Sequence, residues 1–136
     1  MKNNSTYPVR IYYEDTDAGG VVYHARYLHF FERARTEFLR EKGFSQNEII
    51  QQQGIAFVVK QMEIDFRYPA RLDDLLIVET TLVEVKNASL VFTQKLIQEN
   101  KLYCSAIVKV ACVNINLMKP TSLPQEIKRL LKDEKP

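Results

Sequence analysis

The chain has no tryptophan, only two cysteines, two histidines and four glycines, and no apolar run long enough to span a bilayer. With no Cys-x-x-Cys pair and no His-rich tract, the usual signatures of a structural metal site are missing. Cys104 and Cys112 lie eight apart in a strand-like run, on one face but about 26 Å apart at the strand rise, so buried free thiols are expected rather than a disulfide. The first residues, Met-Lys-Asn-Asn-Ser-Thr-Tyr-Pro, contain no apolar core of a secretory leader, which predicts a soluble cytoplasmic protein without a transmembrane segment. An excess of one charge is missing too: 19 basic against 17 acidic residues leave +2. That balance speaks against a dedicated nucleic-acid binder, though not against a local cationic patch for a phosphorylated ligand. No serine elbow, Walker glycine pattern or dinucleotide fingerprint occurs, and Ser45, Ser89, Ser105 and Ser122 stand in plain contexts. Chemistry that needs a serine triad, a phosphate-cradling loop or a bound nicotinamide loses support, and no cofactor is expected.

What is present is core material. Of 136 residues 46% are hydrophobic, with seven Phe and seven Tyr, enough for one compact domain over residues 1–136. Residues 1–6 read as a frayed terminus and Pro8 to Tyr13 as a first strand. A helix is expected from Tyr23 or His24 to about Arg40, with Tyr27, Phe31, Ala34 and Phe38 at helical spacing. Glu32, Arg33, Arg35, Glu37, Arg40 and Glu41 read as its charged outer face, and Gly43 as the residue that ends it. Ser45 with Glu48 reads as a capping box for a short helix ending near Gly54. The period then changes. Phe57–Phe66, Leu75–Val85, Leu90–Gln98 and Leu102–Asn114 are strand candidates, the last three joined by connections of hairpin length. Met118 to Pro124 is a connector, and Gln125 to Lys132 a short final helix. One early strand, a long helix and four further strands give a segregated α+β domain, an antiparallel sheet covering one central helix. Such a sheet leaves open edges, so self-association is expected.

Residues 12–35 concentrate the chemistry. A strand-like segment enters an acidic, Gly-rich turn and a helix leaves it. A carboxylate there lies near the free N–H groups and positive dipole end of the helix, which can hold the developing negative charge of a carbonyl. Asp15 and Asp17 stand beside Gly19 and Gly20. One of them as a cap and the other solvated is the plain alternative, but three acids among residues 14–17 are an odd choice for turn chemistry alone. His24 stands out by position, at the expected helix start, whereas His29 need be no more than a solvated or capping side chain.

The run Asp15-Thr16-Asp17-Ala18-Gly19-Gly20-Val21-Val22-Tyr23-His24-Ala25-Arg26-Tyr27, with Glu32, Ala34 and Arg35 downstream, resembles the hotdog-fold acyl-CoA thioesterases of the 4-hydroxybenzoyl-CoA thioesterase type. Within them it is most similar to the bacterial thioesterases encoded alongside the Tol-Pal envelope system. The likeness continues through Ala56–Lys60, Pro69–Asp74 and Met118–Pro120. It implies a long helix wrapped by a five-stranded antiparallel sheet. It also implies a homodimer with a continuous sheet, often doubled to a homotetramer, and sites shared between two chains. By position Asp17 matches the family's catalytic carboxylate, as nucleophile or general base, and His24 the residue whose backbone N–H polarises the thioester carbonyl. Gly20 would allow close backbone approach to the substrate. Lys86 matches a position that is basic in related enzymes and suits the phosphates of coenzyme A. Arg71 and Lys119 are weaker candidates for the same duty, and solvated surface charge explains all three equally well. Val22, Tyr27 and Phe57 could line an acyl pocket, though core packing accounts for them as readily.

Hydrolysis of an acyl-CoA thioester is therefore the leading expectation. A module that docks an acyl carrier protein or lipid-synthesis enzymes, with secondary hydrolysis, is the alternative. A dehydratase on the same fold ranks below both, because those enzymes place a catalytic histidine on a different local motif.

Overall fold

The computed structural model describes residues 3–132. Its elements follow the chain as β1 (Asn4–Arg10), α1 (His24–Glu41), α2 (Gln46–Gln53), β2 (Ile55–Phe66), β3 (Leu75–Val85), β4 (Ser89–Gln98), β5 (Lys101–Asn114), β6 (Lys119–Pro120) and α3 (Gln125–Lys132). Five strands form one antiparallel sheet in the order β1-β3-β4-β5-β2, and the two-residue β6 pairs with the end of β5. The sheet curls around α1, as the α+β hotdog expectation requires. No helix among the described residues is long and apolar enough to cross a membrane.

The core lies between α1 and the sheet. Phe30, Phe31, Ala34 and Phe38 are at most 2% exposed, and each large ring removed from water contributes about 1.5–3 kcal/mol. Phe38 meets Phe92 of β4 edge-on at 5.5 Å. The helix ends in a Schellman motif: Phe44 N–H donates to Leu39 O (3.3 Å) and Gly43 N–H to Arg40 O (3.1 Å), with Gly43 at φ 108°. The Ser45 hydroxyl accepts from Glu48 N–H at 3.3 Å, and α2 closes at Gly54 with φ 69°.

Three expectations need correction. Of residues 1–6, expected as a frayed end, residues 4–6 are ordered in a strand: β1 begins at Asn4 and pairs Asn4–Arg10 with Thr81–Leu75, while residues 1 and 2 lie outside the described residues. Cross-strand pairing outweighs the weak strand propensity of Asn-Ser-Thr, and Pro8 is tolerated because β1 is an edge strand. The same strand stops at Arg10, and Tyr13–Asp15 form a 3₁₀ turn rather than its end. Arg35 is not on the outer face. It is 8% exposed, since it follows Phe31 by four and precedes Phe38 by three and so shares their stripe. Its Nη1 donates to Gln94 Oε1 (3.0 Å), and Gln94 Nε2 donates to Phe31 O (2.9 Å) and Thr80 Oγ1 (3.0 Å).

Cys104 and Cys112 are buried and free. Burial pushes the Cys104 thiol up to about 12, with Asp65 adding to the shift, and the Cys112 thiol up to about 11. Both values exceed the ordinary 9.0, so the unfolded chain ionises first. The thiols' contribution to stability is full below pH 9 and lost as pH rises from there through the folded values. Two outcomes are expected: the urea midpoint falls between pH 9 and 11, and replacing both cysteines by alanine removes part of that slope. Ellman's reagent at pH 8 should titrate neither thiol until the protein unfolds.

Candidate active site

The strand-to-helix loop is built on one buried carboxylate. Asp15 is 4% exposed. Its Oδ2 accepts from Tyr12 N–H (2.9 Å), while Oδ1 accepts from both Nε (3.0 Å) and Nη2 (2.7 Å) of Arg26. Glu14 reaches the same guanidinium at 3.7 Å. The crowding of acids in the sequence thus has a local cause: two of the three surround one cation that α1 supplies from its first turn. Asp15 O also accepts from Tyr23 N–H (3.1 Å), which fixes where the helix begins.

Asp17 is the other aspartate, and it is exposed. Its Oδ1 accepts from Gly19 N–H at 2.8 Å, and Oδ2 has no hydrogen-bond partner among the described residues. The loop closes through Asp17 N–H to Val21 O (2.9 Å) and Gly20 N–H to Asp17 O (3.0 Å), and Thr16 bridges Val22. Gly20 sits at φ 80°, a conformation that favours glycine. A Cβ on Gly19 would stand 3.3 Å from Asp17 Oδ1, so any side chain there presses on the carboxylate.

α1 starts at His24 with Tyr23 as N-cap, no side-chain cap and no acid in its first turn. The His24 ring is exposed, 4.5 Å from Tyr23 and 6.4 Å, edge-on, from Phe66 at the end of β2. Tyr27, one turn on, is 3% exposed, and its hydroxyl accepts from Ala70 N–H at 3.0 Å. Burial raises its pKa above the ordinary 10.0, and the Ala70 bond partly offsets that. Val22 N–H donates to Ala70 O (2.8 Å), and Val21 bridges Arg71.

The structure therefore gathers Asp17, Gly20, His24 and Arg71 around one loop. Val22 and Tyr27 lie in the core beneath it, 5% and 3% exposed, supporting the loop from behind. Phe57 lies elsewhere. It lines a separate cavity of about 600 Å³, between α1 and β2, with Leu28, Glu32, Arg35, Val58 and Met62. Lys86 is exposed in the β3–β4 hairpin, 4.0 Å from Glu84. That hairpin packs beside Ser122 and Leu123, at the end of the sheet opposite Phe66. Within one chain Lys86 and His24 do not meet. Sequence reasoning missed Arg26 and Phe66. Arg26 had a trace, a base in the first turn opposite an acid cluster; Phe66 had none, because the strand end gives no hint of what crosses it.

A family model described as the thioesterase-like superfamily matches residues 12–131. An acyl-CoA thioesterase of Haemophilus influenzae is 56% identical over 94% of this chain and 94% of its own length. The crystal structure of a probable thioesterase from Bartonella henselae superimposes with a TM-score of 0.85 at 40% identity, covering 89% of this chain and 99% of that one. A 4-hydroxybenzoyl-CoA thioesterase mutant, complexed with 4-hydroxybenzoyl-CoA, shares the fold with a TM-score of 0.89 at 18% identity, over 96% and 99%.

The two aspartates are expected to separate in stability. Removing Asp15 leaves a partly exposed guanidinium without its main partner and Tyr12 N–H without its acceptor, so Asp15→Ala should cost about 2 kcal/mol. Asp17→Ala should cost no more than about 1 kcal/mol, as an exposed turn residue does. Urea unfolding of the two variants checks the contrast, and equal losses would refute it.

Proposed function

The chain belongs to the thioesterase-like superfamily and is an acyl-CoA thioester hydrolase, and from that premise we propose that Asp17 and the first turn of α1 carry the chemistry. One observation supports this most. Asp17 is an exposed carboxylate held by one oxygen only, on the loop that delivers the chain to an uncapped helix N-terminus. Asp17 Oδ2 has a lone pair to offer, and the His24 backbone N–H faces no side-chain cap, so a thioester carbonyl fits between them. As nucleophile, Asp17 forms a C–O bond to the acyl carbon while the C–S bond breaks. The coenzyme leaves as a thiolate that takes a proton from solvent, and water then hydrolyses the mixed anhydride. As general base, Asp17 takes a proton from the attacking water instead. Both routes end at free acid and coenzyme A. The exposed His24 ring, flanked by Tyr23 and Phe66, stands where it can contact the pantetheine arm.

The catalytic loop is open to solvent and β2 is an edge strand with Val58 (37%) and Val59 (48%) exposed. A second copy pairing antiparallel along β2 covers both. It sets the Ile55 end of one strand against the Phe66 end of the other, bringing the partner subunit's Lys86 towards His24. Lys86 and Arg71 then suit the phosphates of coenzyme A from two chains.

The test is thiol release from short aliphatic, aromatic and long-chain acyl-CoAs. Asp17→Asn is expected to lower kcat/KM by about 10²–10⁴-fold while the circular dichroism spectrum and sedimentation stay unchanged. Equal rates in variant and wild type would remove Asp17 from the chemistry. Release from no substrate by the wild type would favour the carrier-protein docking alternative.

A further inference from the structure

Arg35 poses a problem that one chain does not solve. A guanidinium carries five N–H donors, and the structure gives Arg35 one hydrogen bond, to Gln94, whose own amide is taken up by Phe31 and Thr80. No carboxylate lies within ion-pair distance of it among the described residues. Burial lowers its pKa, with Glu32 opposing the shift from a distance. In the single chain none of its unpaired nitrogens is fully buried, so they still reach water through the cavity; once that water is shut out, the charge needs a counter-charge or hydrogen-bond acceptors to complete its shell. Its remaining donors open into the cavity between α1 and β2, whose lining is otherwise apolar except for Glu32 and Gln46.

The place of that cavity identifies the missing partner. On the sheet side it is bounded by Phe57, Val58, Val59 and Met62, the middle of the twelve-residue edge strand. On the helix side it is bounded by Leu28, Glu32, Arg35 and Leu39, so the stretch of α1 that lies over the centre of β2 is centred between Glu32 and Arg35. If two copies pair along β2, the two-fold axis passes near the middle of that strand and relates this stretch of helix to itself in reverse. Glu32 and Arg35 bracket the axis, and whatever Arg35 meets across it, the symmetry repeats. Glu32 is exposed and makes no ion pair among the described residues of its own chain.

We propose that Arg35 takes Glu32 of the partner subunit as its counter-ion, so that two reciprocal pairs lock the dimer and close each cavity. The inference rests on the β2-paired dimer of the previous section. It adds the residues that specify it: the apolar strand edge supplies area, and the charge pair fixes register and excludes a slipped pairing. It also makes the cavity a property of the assembly, with its one buried cation neutralised and an apolar interior left for an uncharged acyl group.

Sedimentation equilibrium tests it directly. Glu32→Gln is expected to weaken the dimer about 10²-fold, and Glu32→Lys, which sets like charges together, by more. The charge swap Glu32→Arg with Arg35→Glu should recover dimerisation to within about tenfold of wild type. If the swapped chain fails to fold, the cycle of Glu32→Gln, Arg35→Met and both together replaces it: the double variant should be no weaker than the worse single one, and additive losses would overturn the proposal. A Glu32→Lys protein as tightly dimeric as wild type would also overturn it. So would a loss of hydrolysis in Arg35→Met confined to acyl-CoAs with a terminal carboxylate, which would assign the cation to substrate. A wild type that stays monomeric at about 10⁻⁴ M would remove the dimer and this inference together, whereas thiol release judges the hydrolase reading independently.

Discussion

The ion pair between Asp15 and Arg26 is the contact on which the functional loop depends. It ties the turn after β1 to the first turn of α1, with Glu14 reaching the same guanidinium at 3.7 Å. With Asp15 held, its carbonyl receives Tyr23 N–H and sets the helix start, and the intervening residues have one way to close. Asp17 is then a by-product of that closure, turned outward because Asp15 is turned inward. Gly19 and Gly20 let the loop be tight, one by sparing the carboxylate a clash and the other by accepting a positive φ. The proposed chemistry needs a carboxylate that is positioned yet unsatisfied, and a second carboxylate nearby, fully satisfied, supplies that positioning.

The two helix starts sharpen the point. α2 begins with Ser45, whose hydroxyl takes the Glu48 N–H; α1 begins with Tyr23, whose carbonyl takes the Arg26 N–H but whose side chain caps none of the first amides. A missing cap leaves part of the helix free energy unrealised, roughly 1 kcal/mol at an ordinary N-terminus. The uncapped start is the one beside the exposed aspartate and the aromatic ring of Phe66, which is where the proposed reaction would place a polarised carbonyl against free N–H groups.

Much of this was legible in the sequence, and the failures are informative. β3 and α3 were read to their end residues, and α1 to within one, because periodicity and end signals coincide there. Arg35 departs from the expected outer face because its spacing from Phe31 and Phe38 places it on the buried stripe, whatever its charge. β1 was misread because its first residues are polar and its strand character comes wholly from β3. Local pattern alone does not tell Asp15 from Asp17, and only the family resemblance singles out Asp17, since the residue that distinguishes them, Arg26, lies across a turn whose shape no local pattern specifies. Phe57 and Lys86 were grouped with Asp17 by resemblance, and one chain keeps them apart.

That last separation carries its own argument. A loop with an open carboxylate, a strand edge with Val58 and Val59 bare, a cation without a counter-ion and a basic hairpin at the wrong end of the sheet are four separate oddities in one chain. Each would need its own explanation if the chain acted alone. The two-fold operation along β2 proposed above would address all four, covering the edge, bringing a hairpin to the loop and a carboxylate to the guanidinium. Independent defects with one geometric remedy are what a surface looks like when half of its site is folded into another copy.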